Sequence, residues 1–494
     1  MRRNKLKKQE GFLRQGPQGF RLAALCFGVG LLPLVAMPAA GANLLLLPEY
    51  LQQVVDKNDS YRSAQRALEA ARLQVHEGDV LTAPSAFATL KHSDDHQAGT
   101  IYTVDDTIMD VYDFGVSQQT SFGLSGKLHY SMTNLRYNQL AFGPGVTSNV
   151  NAALGQPVLE LTLPIWRNWA GAETQSQVAA GNSQNEAKLH LQNFALKQLQ
   201  VQAESAYWVL NLSRQSVKVA LDSVQRAKTL VGWNQAKTKV GLADDAEYLQ
   251  AEAAFQARMV DLQNSQNDLN SASRNFNSLR GLQSDLVPED LKDLDLQEVR
   301  SLKVPVRVGD REDVQAAFAQ SVAVRAGAEL SKQKYLPTVE VFGLAATNNP
   351  VASNTSTVWG DSFNTGRPTT SIGLRLIAPL DFGTVKDLRQ GYARDQMAAD
   401  LDLQRKKLDQ EVAWRDLQDR YQQHIKMLDL YEKLEKSQAV KLEYERARRS
   451  KGRTTTQQVL NFELEYEQVQ FNRIRVMSEL LQILSQMKLY GGEA

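Results

Sequence analysis

The sequence predicts a mainly α chain of very long coiled-coil helices joined to short β segments, laid out as two internal repeats. Three observations carry this. A strand-like run, Leu159-Glu160-Leu161-Thr162-Leu163-Pro164-Ile165, returns as Leu374-Arg375-Leu376-Ile377-Ala378-Pro379-Leu380. Each copy leads into a long polar stretch that reaches a small break, first at Val240-Gly241-Leu242-Ala243 and then at Lys451-Gly452-Arg453-Thr454. The glycines of the two breaks lie 211 positions apart and the two prolines 215. Duplicated units of this kind build scaffolds and pores more often than catalytic clefts.

The chain opens on an export signal. Seven Lys and Arg precede an apolar run from Leu22 to Val35, followed by Pro38 and the small residues Ala40-Gly41-Ala42. Cleavage after Ala42 suits this pattern better than a retained anchor. The only cysteine, Cys26, lies inside that signal, so the mature chain has no thiol or disulfide chemistry. Residues 43–494 hold 49 basic and 54 acidic side chains, which gives no support to nucleic-acid binding. No stretch outside the signal has eighteen consecutive apolar residues. A mature chain that crosses a membrane must therefore do so as a closed β-barrel.

Residues 48–80 show helical spacing, with Leu51, Val54, Tyr61, Leu68 and Val75 recurring on one face, and Pro84 is expected to stop this helix. Strand material begins near Phe87. Between 96 and 155 the composition shifts to Gly, Ser, Thr, Asn and aromatics. There Phe122, Leu124, Leu128, Tyr130 and Met132 alternate with Ser121, Ser125, Lys127, His129 and Ser131. A lipid-facing barrel strand and a half-buried soluble strand both alternate in this way.

After Pro164, Leu196, Ala203, Leu210, Val217, Val224 and Val231 recur every seven residues, and mostly small residues follow three positions later. This is a coiled-coil seam with close helix approach. The seam resumes after Gly241 as Tyr248, Phe255, Leu262, Leu269 and Phe276, and after Gly452 as Phe462, Val469, Val476 and Ile483. Each helix therefore returns as an antiparallel hairpin. The organisation expected is a signal at 1–42, repeat 1 at 43–282, an inter-repeat segment at 283–310 and repeat 2 at 311–494. Pro84 to Pro164 spans 80 positions and Pro337 to Pro379 only 42, so repeat 1 carries a 38-residue insertion. An extra hairpin pairing Phe122–Met132 with 101–112 would either join a barrel or cap it.

In this order the residues resemble the TolC-like outer-membrane efflux protein family, over about 48–489. The resemblance rests on Arg311-Glu312-Asp313-Val314, Leu336-Pro337, the strand-to-helix corners at Pro164 and Pro379, and the paired Gly241 and Gly452 turns. It implies a long α-helical coiled-coil barrel continuous with a trimeric outer-membrane β-barrel, to which each chain gives two strand pairs, twelve strands in all. The implied function is the passive exit duct of a tripartite efflux pump or type I secretion system. Its implied partners are two further copies, a periplasmic adaptor (membrane fusion) protein, an inner-membrane transporter and outer-membrane lipid.

The resemblance places adaptor docking at Val240, Gly241, Leu242, Ala243, Lys451, Gly452, Arg453 and Thr454. A glycine there either leaves room for a partner backbone or simply ends a helix. The family's ring of entrance aspartates falls on Gln458 and Asn461, so the usual anionic constriction is missing; Asp244, Asp245 and Glu247 read as solvated surface. No catalytic residue, cofactor or metal site is expected. His92, Asp94, Asp95 and His96 are faintly metal-like, but a polar strand end facing water explains them. No Ser-His-Asp cue, phosphate loop or cysteine cluster is present. The competing reading is a non-channel periplasmic coiled-coil scaffold or adhesin, which would need no lipid-facing apolar band.

Overall fold

The fold is given by a computed structural model that describes residues 44–96, 104, 106–143, 145–241, 244–292, 296–348, 355–363 and 366–491. The expected signal with Cys26, and Leu242 and Ala243 of the first break, lie outside the described residues.

In chain order the elements are β1 (Leu44–Leu45), α1 (Leu47–Lys57), α2 (Asp59–Gln74), β2 (Ser85–Asp95), β3 (Asp106–Gln119), β4 (Ser125–Gly143), β5 (Val146–Pro164), α3 (Ala172–Lys239) and α4 (Asp245–Leu279). There follow β6 (Asp290–Leu291), α5 (Leu296–Ser301), α6 (Glu312–Lys334), β7 (Thr338–Thr347), α7 (Thr355–Asp361), β8 (Pro368–Ile377), α8 (Phe382–Ser450) and α9 (Thr456–Met487). The helix expected over 48–80 is broken at Asn58, whose backbone is extended. Its side chain caps α2 through the Tyr61 N–H at 2.8 Å and donates to the Leu279 carbonyl at 2.7 Å. A short 3-10 turn at Glu77–Thr82 leads to Pro84.

The long helices have the expected scale. α3 holds 68 residues and α8 69, each on the order of 100 Å at 1.5 Å per residue. Their starts are set by side chains: Asn168 accepts from the Thr174 N–H at 3.0 Å, and Asp381 accepts from the Thr384 N–H at 3.0 Å. Their ends pass into Gly241 and Gly452, both at φ 70°, the left-handed conformation that glycine adopts at least cost. Along α3 the seam residues Ala203, Ala206, Leu210, Ala220 and Ala227 are buried. α3 packs on α6 along one part and on α4 and α9 along another, and α8 packs on α6 and α9.

Residues 283–292 and 296–310 join elements from distant parts of the chain. β6 pairs in parallel with β1, and the main apolar core joins Tyr50, Val54, Tyr207, Leu210, Phe276, Leu291, Val299, Leu428, Met477 and Leu480. Tyr50 stacks on Phe276 with ring centroids 4.0 Å apart. Elements from both ends and the middle of the chain are thus held in one node.

The strands correct the expectation of two pairs per chain. They form one six-stranded sheet in the order β2-β3-β4-β5-β7-β8, and every neighbouring pair is antiparallel. The inserted hairpin is β3–β4, and it lies in the sheet between β2 and β5. Its register also differs from the expectation. The turn falls at Thr120–Leu124, so Phe122 sits in it, and Ser125–Met132 pair with Tyr112–Gln119. The physical reason is turn chemistry: Gly123 takes φ 95°, and the Gly123 N–H closes on the Thr120 carbonyl at 3.0 Å. Thr338–Thr347 and Pro368–Ile377 are the second strand pair, and the loop between them contains α7.

Candidate channel wall and entrance

The register assigns each strand residue to one of two sheet faces. One face carries Leu90 of β2, Tyr112, Phe114 and Val116 of β3, and Leu128 of β4. It continues with Leu159, Leu161 and Leu163 of β5, Val341 of β7, and Ile372, Leu374 and Leu376 of β8. Apart from Val341, all of these side chains are exposed, Ile372 by 84% and Leu90 by 78%. Beyond the row of Leu90, Tyr112 and Met132 the same face turns polar, with His92, Asp110, Asn134 and Arg136. His92 Nδ1 lies 2.6 Å from Asp110, whose other oxygen accepts from Arg136 at 3.1 Å.

The apolar band is bounded in height. It runs from Gly155 on β5 to Ile165 just past its end, whose N–H donates to the Val339 carbonyl, ten intervals of about 3.3 Å, or about 25 Å along the normal at the usual strand tilt. That is the height of the apolar band of an outer-membrane barrel. Aromatic side chains mark both limits. At the upper one, α7 lies over β4 and β5, with Trp359 4.5 Å from Tyr130 and 6.4 Å from Phe114 between ring centroids. At the lower one, Phe122, Trp166 and Trp169 are exposed beside the start of α3. Such girdles belong to membrane–water interfaces.

The opposite face is mainly polar at the same level, with Phe87, Val158, Phe342 and Leu344 interspersed. It presents Ser117, Lys127, His129, Ser131, Gln156, Glu160, Thr162, Glu340 and Arg375. His129 bridges two carboxylates, Asp113 at 2.5 Å from Nδ1 and Glu160 at 3.3 Å from Nε2. The alternation read between Phe122 and Met132 is therefore that of a wall with one apolar and one hydrophilic face.

At the far end the two helical hairpins meet in a buried polar node that sequence reasoning missed. Asn234 of α3 is fully buried. Its side-chain oxygen accepts from Arg449 Nη2 of α8 at 3.1 Å and lies 3.2 Å from the Thr456 hydroxyl of α9. The same hydroxyl is 3.0 Å from Glu247 Oε2 of α4, and the Asn234 amide donates to the Glu247 carbonyl at 3.4 Å. The Arg449 guanidinium lies 3.7 Å over the Trp233 ring, and burial pulls its pKa down to about 10. The only sequence trace was a polar residue, Asn234, at a small-residue position of the seam. Further along, Glu467 is buried and 2.7 Å from Arg258; burial raises its pKa.

The sequence-predicted tip residues cluster beyond this node. Val240, Gly241, Lys451, Gly452 and Arg453 are exposed, and a Cβ on either glycine would meet nothing within 4 Å. The Thr454 hydroxyl donates to Gln458 Oε1 at 2.9 Å, and Asn461 accepts from Gln457 at 3.0 Å, both on the exposed side of α9. Asp244 is the N-cap of α4, accepting from the Ala246 N–H at 3.2 Å. Pro164 ends β5 seven residues before α3, and Pro379 precedes the Asp381 cap of α8. Asp94, His96 and Asp106 bring ligand atoms within 4.8 Å on strand ends.

No protein-family model and no curated protein matches the chain in sequence. Solved structures match it over most of its length. The channel CusC, in a study of folding and transmembrane channel formation, aligns with a TM-score of 0.64 at 13% identity, covering 90% of this chain and 92% of that one. The outer-membrane channel CmeC of Campylobacter jejuni aligns at 0.61 and 15%, covering 90% and 85%. The outer-membrane protein VceC of Vibrio cholerae aligns at 0.62 and 14%, covering 90% and 96%. The chain has the fold of these TolC-like channels.

Proposed function

We propose that this chain is one protomer of a homotrimeric outer-membrane channel that extends into the periplasm and serves as a passive exit duct. In this reading it works within a tripartite efflux pump or a type I secretion system and is opened by a periplasmic adaptor and an inner-membrane transporter. The observation that carries the reading is the exposed apolar band, about 25 Å tall, backed by a hydrophilic face. A coiled-coil scaffold or adhesin has no use for such a band. Among the described residues no helix is long and apolar enough to cross a membrane, so the strands are left to do so.

The need for further copies follows from the sheet. β2 and β8 are its edges, and an open edge is not viable in hydrocarbon. Edge pairing between three copies closes the wall. The same element order, α2 to β2 and β5 to α3–α4, then α6 to β7–β8 to α8–α9, supports two repeats per chain, so three chains supply a near-sixfold tube. The tips at Val240–Gly241 and Lys451–Thr454 are the docking surface for the adaptor, where open space around both glycines admits a partner backbone. The chemistry is passage, with no catalytic step.

The test is extraction of the full chain in detergent and its insertion into planar bilayers. A trimer that gives discrete conductance steps is expected. A trimer that stays soluble without detergent and does not conduct would overturn the reading.

A further inference from the structure

We infer that the inserted hairpin β3–β4 is membrane wall, so that the closed barrel has eighteen strands, six from each of three chains, rather than the twelve that two strand pairs per chain would give. This rests on the trimeric duct proposed above and extends it to the width of the outer pore.

Three independent features of the hairpin lead there. The first is pairing. β2 pairs with β3 from Ser85 to Asp95, and β3 pairs with β4 from Asp106 to Gln119. β4 continues onto β5 from Ser125 through Tyr137 without a break. The facing sides of β2 and β5 are thus hydrogen-bonded to the hairpin through the height of the apolar band, and lifting it out would leave those sides open until the two strands re-paired with each other, at several kcal/mol per unpaired group in hydrocarbon.

The second feature is the surface. Tyr112, Phe114 and Val116 on β3 and Leu128 on β4 continue the outward apolar band between Leu90 of β2 and Leu159 of β5. Ser117, Lys127 and Ser131 point to the hydrophilic face. A cap standing in water outside the bilayer has no reason to keep this alternation in step with its neighbours. The polarity changes only beyond Met132, at the level where β2 changes as well.

The third feature is the anchor of its turn. The Gln175 amide donates to the Ser121 carbonyl at 3.2 Å, and the Gln119 amide donates to the Thr174 hydroxyl at 2.7 Å. Gly171, at φ 78°, sits so close that a Cβ there would lie 1.8 Å from the Ser121 oxygen. The hairpin therefore reaches the strand-to-helix corner at the inner limit of the wall, instead of ending at the outer rim.

Barrel diameter grows roughly in proportion to strand number, so eighteen strands give a pore about half again as wide as twelve. The outer barrel then passes whatever the helical tunnel admits, and selection falls to the helix tips. On the outward side α7 covers Tyr130 and lipid occupies the rest of the new surface, while a second copy of this chain pairs along the β2 and β8 edges.

Single cysteines placed in the full chain test this directly, since its only native cysteine is Cys26. Spin labels at Tyr112→Cys, Val116→Cys and Leu128→Cys, in trimers reconstituted in phosphatidylcholine vesicles, are expected to be relaxed by oxygen and shielded from a water-soluble nickel chelate. Labels at Ser117→Cys and Ser131→Cys are expected to show the reverse. Nickel access at all five positions in a trimer that still conducts would overturn the eighteen-stranded wall and leave the duct reading standing. Electron cryomicroscopy of the unmodified trimer gives a second readout: eighteen strands in cross-section support the inference, and twelve overturn it.

Discussion

The buried node at Asn234 makes a prediction whose size depends on which partner is removed. Asn234 supplies the hydrogen-bond acceptor for Arg449, while Arg449 Nε has no hydrogen-bond partner. Asn234→Ala therefore leaves a buried guanidinium without a hydrogen bond from this node, held by the Trp233 face and the charges of Glu247 and Glu463. An unsatisfied buried group costs about 1–3 kcal/mol, and more when charged, so about 3 kcal/mol is expected against the closed arrangement of the four helices. Arg449→Met acts differently. Burial pulls the Arg449 pKa down to about 10, which disfavours the buried charge by about 3 kcal/mol at about 1.36 kcal/mol per unit. Losing that charge also forfeits a cation–π contact of about 2 kcal/mol, but the Thr456 hydroxyl, which shares its one proton between Asn234 and Glu247, stays within reach of Asn234. The net effect is about neutral. If the two hairpins separate at this node when the duct opens, Asn234→Ala should raise the open population by about 150-fold, and Arg449→Met by little. Single-channel recordings in planar bilayers, with hydrogen exchange over 234–247 and 445–460, measure both. An equal response of the two variants, or opening only in Arg449→Met, would refute the reasoning.

Three further outcomes are expected. Glu467 is an acid whose folded pKa is raised by burial, among Arg258, Arg226, Asp261 and Ser223. The stability that this shift contributes is fully present below its ordinary value of 4.5 and is lost as pH rises through the raised value. Thermal unfolding should therefore show wild type gaining on Glu467→Gln as pH falls from neutrality toward 4.5. Gly171→Ala should abolish assembled trimer on semi-native gels, because its Cβ meets Ser121 backbone at 1.8 Å and φ is 78°; Gly181→Ala, whose nearest neighbour is Gly78 Cα at 3.5 Å, should assemble normally. Phe276→Ala removes a fully buried ring stacked on Tyr50 and should cost about 3–5 kcal/mol, read as a lowered unfolding midpoint of the helical part.

The helical half of this fold was legible in the sequence because heptads are long and redundant. Ala203, Leu210, Val469, Val476 and Ile483 fall every seven residues over many turns, so one misread position changes little. The strand wall was legible only in part. Period-two alternation at Leu128–Met132 does not say how far an apolar face extends, and that question needed six strands in register to show one continuous band. The hairpin register was missed because Phe122 was counted as a strand residue; the left-handed Gly123 beside it places it in the turn. The node at Asn234 was hidden for another reason. Its partners Glu247, Arg449 and Thr456 lie on three other helices, and nothing in the spacing of one helix reports what the next presents.

The placement of these features separates assembly from opening. The edges proposed to pair between copies, β2 and β8, belong to the sheet. The polar node that ties the hairpins at the opposite end lies wholly inside one chain, between α3, α4, α8 and α9. Breaking it therefore costs no barrel hydrogen bond and exposes no strand edge. Its members are also poorly matched in energy: a desolvated arginine without full partners and a threonine hydroxyl, with one proton, set between two acceptors. A node of this kind is close to balance, so a modest binding energy at Gly241 and Gly452 can tip it, whereas the sheet is held by every backbone bond along six strands. The proposed passive duct would need this division, because a partner docked at the tips would have to open the tube without unmaking its wall.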